Sequence, residues 1–200
     1  MKAILGKKLG MTQVFDDKGN VTPVSVVLAG PCFVTAIRTK EKHGYNAIQV
    51  GFDSVKTMNK PKTGNLKELK LKNLVEFRVE NIENYKVGDE VTLEMFKAGD
   101  IVKVSGDSIG KGTMGTIRRW HHHRGPMSHG SKSHRIPGSI GAGTTPGRVY
   151  KGRRMAGRMG NVRVSTKGIK IVAVDMEKKV LLLKGSVPGA NGNILEIVKS

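Results

Sequence analysis

Residues 118–130 read RRWHHHRGPMSHG, which places the only tryptophan of the chain among three arginines and four histidines. Three kinds of chemistry use such residues. Imidazoles spaced as in His121-x-His123, with His129 and His134 nearby, can ligate a metal. Paired histidines can serve as general acid and base. Guanidinium, imidazole and indole groups together hydrogen-bond to phosphate and 2′-hydroxyl groups and stack on unpaired bases. The neighbourhood separates these readings. A metal or acid–base site needs carboxylates, carbonyls or further thiols to complete and orient it, yet the only acid between Ser105 and Gly168 is Asp107. Three adjacent arginines also repel a cation. The histidines and Trp120 are therefore expected to contact RNA, with no metal, no cofactor and no catalytic residue. A metal- or histidine-dependent nucleic-acid enzyme is the runner-up.

Two glycine-rich stretches imitate nucleotide-binding loops and fail on spacing. In GDSIGKGT, residues 106–113, three residues separate Gly106 from Gly110, where a phosphate loop of the Walker type has four, and Gly112 rather than Ser or Thr follows Lys111. In GSIGAG, residues 138–143, the dinucleotide-binding pattern breaks because Pro146 stands where the third glycine belongs.

Charge points the same way. The 200 residues hold 35 Lys and Arg against 16 Asp and Glu, a formal charge of +19, far more than solubility requires and a sign of a polyanionic partner. Segment 105–168 carries four Lys and nine Arg against one acid, with 14 of the 26 glycines and five of the six histidines. Its apolar residues are sparse and show no period of 2 or 3.6. Ordering each residue costs roughly 1–2 kcal/mol of backbone entropy, so this segment is expected to be largely disordered alone and ordered by its partner. Gly147-Arg148, Gly152-Arg153 and Gly157-Arg158 recur every five residues, roughly 16 Å apart in an extended chain, a spacing suited to tracking a phosphate backbone.

The flanks must position this segment, and they read as strands. MTQVFDDKGNVTPVSVVLAG is a hairpin turning at Asp17-Lys18-Gly19-Asn20, and CFVTAIRTK with YNAIQVGF makes another around Glu41-Lys42-His43-Gly44. Val75, Phe77 and Val79 alternate with charged residues, and Val91, Leu93 and Met95 do likewise. GIKIVAVDMEKKVLLLKG is a third hairpin and NILEIVKS a last strand, whereas the leucines of LKELKLKNL, 66–74, suit a helical turn and a strand equally. Short antiparallel strands with glycine turns and no βαβ alternation predict a mainly β barrel or sandwich. Residues 1–104 and 169–200 are expected to share it, with 105–168 inserted between strands and 56–72 a smaller excursion. Cys32 stands alone, which excludes an internal disulfide and suits a reducing cytoplasm as a small buried hydrophobe. No apolar stretch is long enough for a spanning helix, and MKAILGKKLGM lacks the apolar region of a signal peptide.

ILGKKLGMTQVF, GKGTMGTIRRW, SHGSKSHRIPGSIG and TPGRVYKGRRMAGRMGN closely resemble the bacterial large-subunit ribosomal protein L3 family, over essentially the whole chain. The spaced GxSxGKGxxGxxxR run from Gly106 to Arg119 and the HRIPGSIG core are hallmarks of that family. The resemblance implies an antiparallel six-stranded β-barrel of the translation-protein type with a small α+β excursion and a long irregular basic extension. It implies a protein of the cytoplasmic large ribosomal subunit that binds 23S rRNA, touches neighbouring large-subunit proteins, nucleates early assembly, and contacts neither membrane nor DNA. The rRNA contacts would come from Lys111, Arg118, Arg119, Trp120, His121, His123, Arg124, His129, Lys132, His134, Arg135, Arg148, Lys151, Arg153, Arg154, Arg158 and Arg163. The tip of the extension, Gly141, Ala142, Gly143, Thr144, Thr145 and Pro146, would lie near the peptidyl transferase centre. Two positions depart from the family pattern. Lys103 stands where Asp or Asn is usual, and Thr145 stands where some relatives carry a methylated glutamine, so that modification is not expected.

Overall fold

The computed structural model describes residues 2–16, 18–66, 69–82 and 84–199. Packing divides the chain into two compact units, Met1–Asp107 with Arg163–Ser200, and Ser108–Val162. The first unit holds strands β1 (Ala3–Phe15), β2 (Val21–Ala29) and β3 (Cys32–Arg38), helix α1 (Lys40–His43), β4 (Ala47–Ser54), helix α2 (Lys60–Leu66), β5 (Leu71–Arg78), β6 (Glu90–Val91), a 3-10 turn at Leu93–Met95 and β7 (Ile101–Asp107). The second holds β8 (Gly112–Met114), helix α3 (Thr116–Trp120) and β9 (Gly157–Met159). The chain then completes the first with β10 (Arg163–Asp175), β11 (Val180–Lys184) and β12 (Ile194–Lys199). Among the described residues no helix is long and apolar enough to cross a membrane.

In the first unit β1, β12, β7, β10, β11 and β2 pair in that order, every pair antiparallel, and β2 returns to β1. The sheet therefore has no unpaired edge to template association with another chain. Register shifts at Lys8/Gly10 in β1 and at Thr166/Ile169 and Ile171/Ala173 in β10 supply the extra bend that such a closed cycle demands. A second antiparallel sheet runs β5-β4-β3-β6. One core serves both: Ile4, Leu5, Val27, Val104, Ile171, Leu183 and Ile197 of the first sheet join Val34, Ile48 and Val50 of the second, all fully buried. Each such aliphatic side chain stabilises the fold by about 1.5–3 kcal/mol relative to exposure.

Close strand packing explains two glycines. Gly6 of β1 and Gly106 of β7 are both register partners of Leu195 in β12. A Cβ on Gly6 would stand 2.7 Å from Val27 Cγ1, and one on Gly106 would stand 2.7 Å from Leu195 Cδ2. Lys8 is almost buried, and its ammonium donates to the carbonyls of Val187 (3.1 Å) and Gly189 (2.8 Å), tying the loop before β12 to β1.

The hairpins expected from turn residues are present as β1–β2, β3–β4 and β10–β11. In the first turn, Asp17 lies outside the described residues, while Asp16 Oδ1 accepts the Asn20 amide at 2.7 Å and fixes the reversal. The 66–74 ambiguity resolves as both structures in succession. Leu66 closes α2 and Leu71 opens β5, with residues 67 and 68 outside the described set. The strand expected through Val91, Leu93 and Met95 stops at Val91. Leu93–Met95 forms a 3-10 turn, closed by the Phe96 amide donating to the Leu93 carbonyl at 2.9 Å. Val91 and Leu93 are nonetheless buried and Thr92 and Glu94 exposed, so burial alternates there without a ladder.

Segment 105–168 is more ordered than its composition suggests. Its ends belong to β7 and β10, where Asp107 and Arg163 are register partners. Inside the second unit the two arms continue side by side: Ser108 N donates to Val162 O (2.9 Å), Lys111 N to Met159 O (2.9 Å), and β8 pairs with β9. Main-chain hydrogen bonds between residues some fifty positions apart leave no local periodicity in the sequence, which is why composition alone missed them. Nor does the Gly-Arg repeat form an extended track. Gly147 (φ +65°) and Gly152 (φ +79°) hold left-handed backbone and turn the chain, and of the three pairs Gly157-Arg158 is the one that lies in a strand.

Candidate nucleic-acid interface

Within Ser108–Val162 the sequence has three Lys and eight Arg and no Asp or Glu. None of these cations can find a carboxylate inside its own unit. Lys111, Arg118, Arg124, Lys132, Arg135, Arg148, Lys151, Arg153, Arg154 and Arg158 are all solvent-exposed. So are His121, His123, His129 and the candidate tip residues Gly141, Ala142, Gly143, Thr144 and Thr145, with Pro146 half-buried. Like charges at this density repel one another over a screening length of about 10 Å. A multivalent anion laid across them removes that repulsion and releases its own counterions.

Arg163 is placed differently. It belongs to β10 in the first unit, and its guanidinium pairs with the Glu196 carboxylate, so its charge is already matched.

The second unit has an internal clasp. The Trp120 indole N–H donates to the Met155 carbonyl at 2.8 Å, and Arg119 Nη1 donates to the same oxygen at 2.9 Å. The Arg119 and Arg154 guanidinium carbons lie 5.0 and 5.5 Å from the Trp120 ring centroid, both in cation–π range. Gly157 makes room for this arrangement, since a Cβ there would meet Arg119 Nη1 at 2.5 Å. The sequence suggested a base-stacking role for Trp120, but here the ring is half-buried and engaged by two arginines of its own chain. His134 also has an internal partner, its Nδ1 lying 2.9 Å from the Pro126 carbonyl, and Gly125 N donates to the His134 carbonyl at 3.0 Å. Near the candidate tip, Arg153 Nη2 donates to Ser139 O (2.8 Å) and Ser139 Oγ to Gly141 O (2.9 Å).

Sequence reasoning passed over Tyr150. It is 64% exposed, between Arg148 and Lys151, and offers a free aromatic face among cations. The signal was available as the sole tyrosine of an otherwise acid-free basic segment. Val149, its neighbour in sequence, is exposed as well, as are Ile136 and Ile140 of the same unit. Among the described residues no group of three or more His, Cys, Asp or Glu is placed to hold a metal ion. Cys32 is fully buried in the first unit, its thiol facing the Leu5 carbonyl, and burial pushes its pKa up to about 12.

The sequence model of the family described as Ribosomal protein L3 matches residues 62–180. The protein named large ribosomal subunit protein uL3 of Prochlorococcus marinus (strain MIT 9312) is 51% identical over 200 residues, spanning 97% of this chain and 92% of the relative. Those of a Picosynechococcus species and of Trichormus variabilis are each 50% identical, spanning 98% of this chain and 95% of the relative. The chain belongs to the ribosomal protein L3 family.

Proposed function

We propose that this protein is a structural constituent of the large ribosomal subunit in the cytoplasm and acts by binding 23S rRNA rather than by catalysis. The relatives that it matches along nearly its whole length are named as large-subunit proteins. In this reading the six-stranded closed sheet is a barrel of the translation-protein type. It forms the body with 1–107 and 163–200, and Ser108–Val162 is the extension. The cations from Lys111 to Arg158 neutralise rRNA phosphates, while His121, His123 and His129 donate to phosphate and 2′-hydroxyl oxygens. Arg119, Arg154 and Trp120 shape the surface from within, and Arg163 contributes only where rRNA displaces its pairing with Glu196. Residues 141–146 form a tip directed toward the peptidyl transferase centre. Early binding through so many phosphates nucleates subunit assembly, and contacts to neighbouring large-subunit proteins follow.

The observation that carries this reading is the complete absence of acids from Ser108–Val162 against eleven exposed or half-buried cations. The test is the salt dependence of binding to a 23S rRNA fragment. If about 6–10 phosphates are contacted, affinity falls by about 10³–10⁵ between roughly 50 and 200 mM salt. A flat response rejects the proposal.

A further inference from the structure

In this strongly cationic chain the sign of charge reverses in one region. Residues 76–100 hold seven acids against three bases. Two adjoining clefts of the first unit, of about 190 and 460 Å³, share Glu90, Val91, Thr92 and Glu94 on their walls. Val91 and Leu93 give the smaller cleft a buried apolar floor beside Ala29 and Pro31, and the thioether of Met176, 48% exposed, stands at its rim. Asp89, Glu90 and Glu94 are exposed. Among the described residues the ion pairs are Arg38–Glu76, Arg163–Glu196 and Asp100–Lys199, so these three carboxylates have no cationic partner. Lys179 is the one cation on the wall of the smaller cleft.

Beside the clefts runs β6, the outermost strand of its sheet, whose outer main-chain edge no strand covers among the described residues. Three features therefore coincide: an apolar floor, carboxylates without an ion-pair partner, and a strand at the end of its sheet. A phosphate backbone would be repelled here. A purely apolar ligand would leave the carboxylates without counter-charge. An extended polypeptide alternating Lys or Arg with aliphatic residues meets all three demands. Its main chain can add to β6, its aliphatic side chains can fill the cleft, and its cations can reach Glu90 and Glu94.

We propose that the Glu90–Glu94 groove is a docking site for a basic, extended segment of another protein. It is distinct from the proposed rRNA interface, whose residues apart from Arg163 belong to the second unit, and its failure would leave that reading untouched.

The test uses the full chain, isotopically labelled, and three probes. These are a short synthetic peptide alternating lysine and valine, its glutamate–valine counterpart, and a short oligouridylate. Amide shifts of Glu90, Val91, Thr92, Glu94 and Met176 are expected with the lysine peptide alone. Glu90→Gln with Glu94→Gln should weaken that binding about tenfold, and Glu90→Lys with Glu94→Lys should abolish it. Both changes lie on exposed side chains, and an otherwise unchanged spectrum verifies the fold. Several results would overturn the proposal: no shift at these amides, equal shifts with the glutamate peptide, or shifts there with the oligouridylate. So would self-association that the lysine substitutions abolish, since a second copy would then be the occupant.

Discussion

Asp107 and Arg163 face each other as register partners across β7 and β10, although the whole of Ser108–Val162 lies between them in sequence. Opposed Cα atoms in an antiparallel pair are about 4.5–5.5 Å apart. The cationic unit is thus inserted where a simple hairpin turn would suffice. Replacing Ser108–Val162 by a short glycine–serine linker should leave a folded body, because the core residues lie outside the deletion. Thermal unfolding followed by circular dichroism should stay cooperative, and affinity for the rRNA fragment should collapse. A broad, non-cooperative melt would show that the body needs the insertion.

Gly106 is predicted to be intolerant of even one added methyl group. The new carbon would sit 2.7 Å from Leu195 Cδ2 and 3.2 Å from the Ile194 carbonyl oxygen. Gly106→Ala should destabilise the fold by about 1–3 kcal/mol, as overpacking does. Adding Leu195→Ala should cost less in that background than in the parent, because the two groups compete for one space. Urea titration of the four proteins measures the coupling, and strict additivity would refute it.

Tyr150 and Trp120 should respond in opposite ways. Tyr150→Ala removes a free aromatic face and should weaken rRNA binding by about 1–3 kcal/mol, with protease resistance of the free protein unchanged. Trp120→Phe keeps an aromatic ring but loses the N–H that holds the Met155 carbonyl, a hydrogen bond contributing about 0.5–1.5 kcal/mol. Limited proteolysis near Met155 should then quicken in the free protein. If Trp120→Phe left the free protein untouched and weakened RNA binding alone, the clasp would be irrelevant.

Cys32 offers a pH test. Burial favours the neutral thiol and raises its pKa from 9.0 to about 12, so the folded state keeps a proton that the unfolded chain releases. This contribution to stability is fully present below about pH 9 and is lost as pH climbs toward 12. At pH 8 the native thiol should resist iodoacetamide and react only on unfolding. Rapid alkylation of the folded protein would contradict the burial described here.

Local chemistry made part of this molecule legible. The Asp16–Asn20 reversal and the alternation through Val75 and Phe77 each depend on neighbours a few residues away, and strands and hairpins followed from them. The remainder depends on distant partners. Closure of the first sheet needs β12 to lie between β1 and β7. The pairing of Lys111 with Met159 and the Trp120–Met155 bond join positions that no sequence window contains. Trp120 and Tyr150 show the consequence at the candidate site. Composition marks both as aromatics among cations, and only the fold separates the engaged ring from the free one. The cationic residues themselves needed no fold to be found, since the absence of acids is a property of composition.

The only tryptophan of the chain lies within cation–π range of two guanidinium groups in the second unit, whereas the closed sheet belongs to the first. Its ultraviolet emission is therefore a built-in reporter for the cationic unit alone, while far-ultraviolet ellipticity follows mostly the sheets. Titrating denaturant while recording both signals would show, without any label, whether the insertion melts with its host or ahead of it.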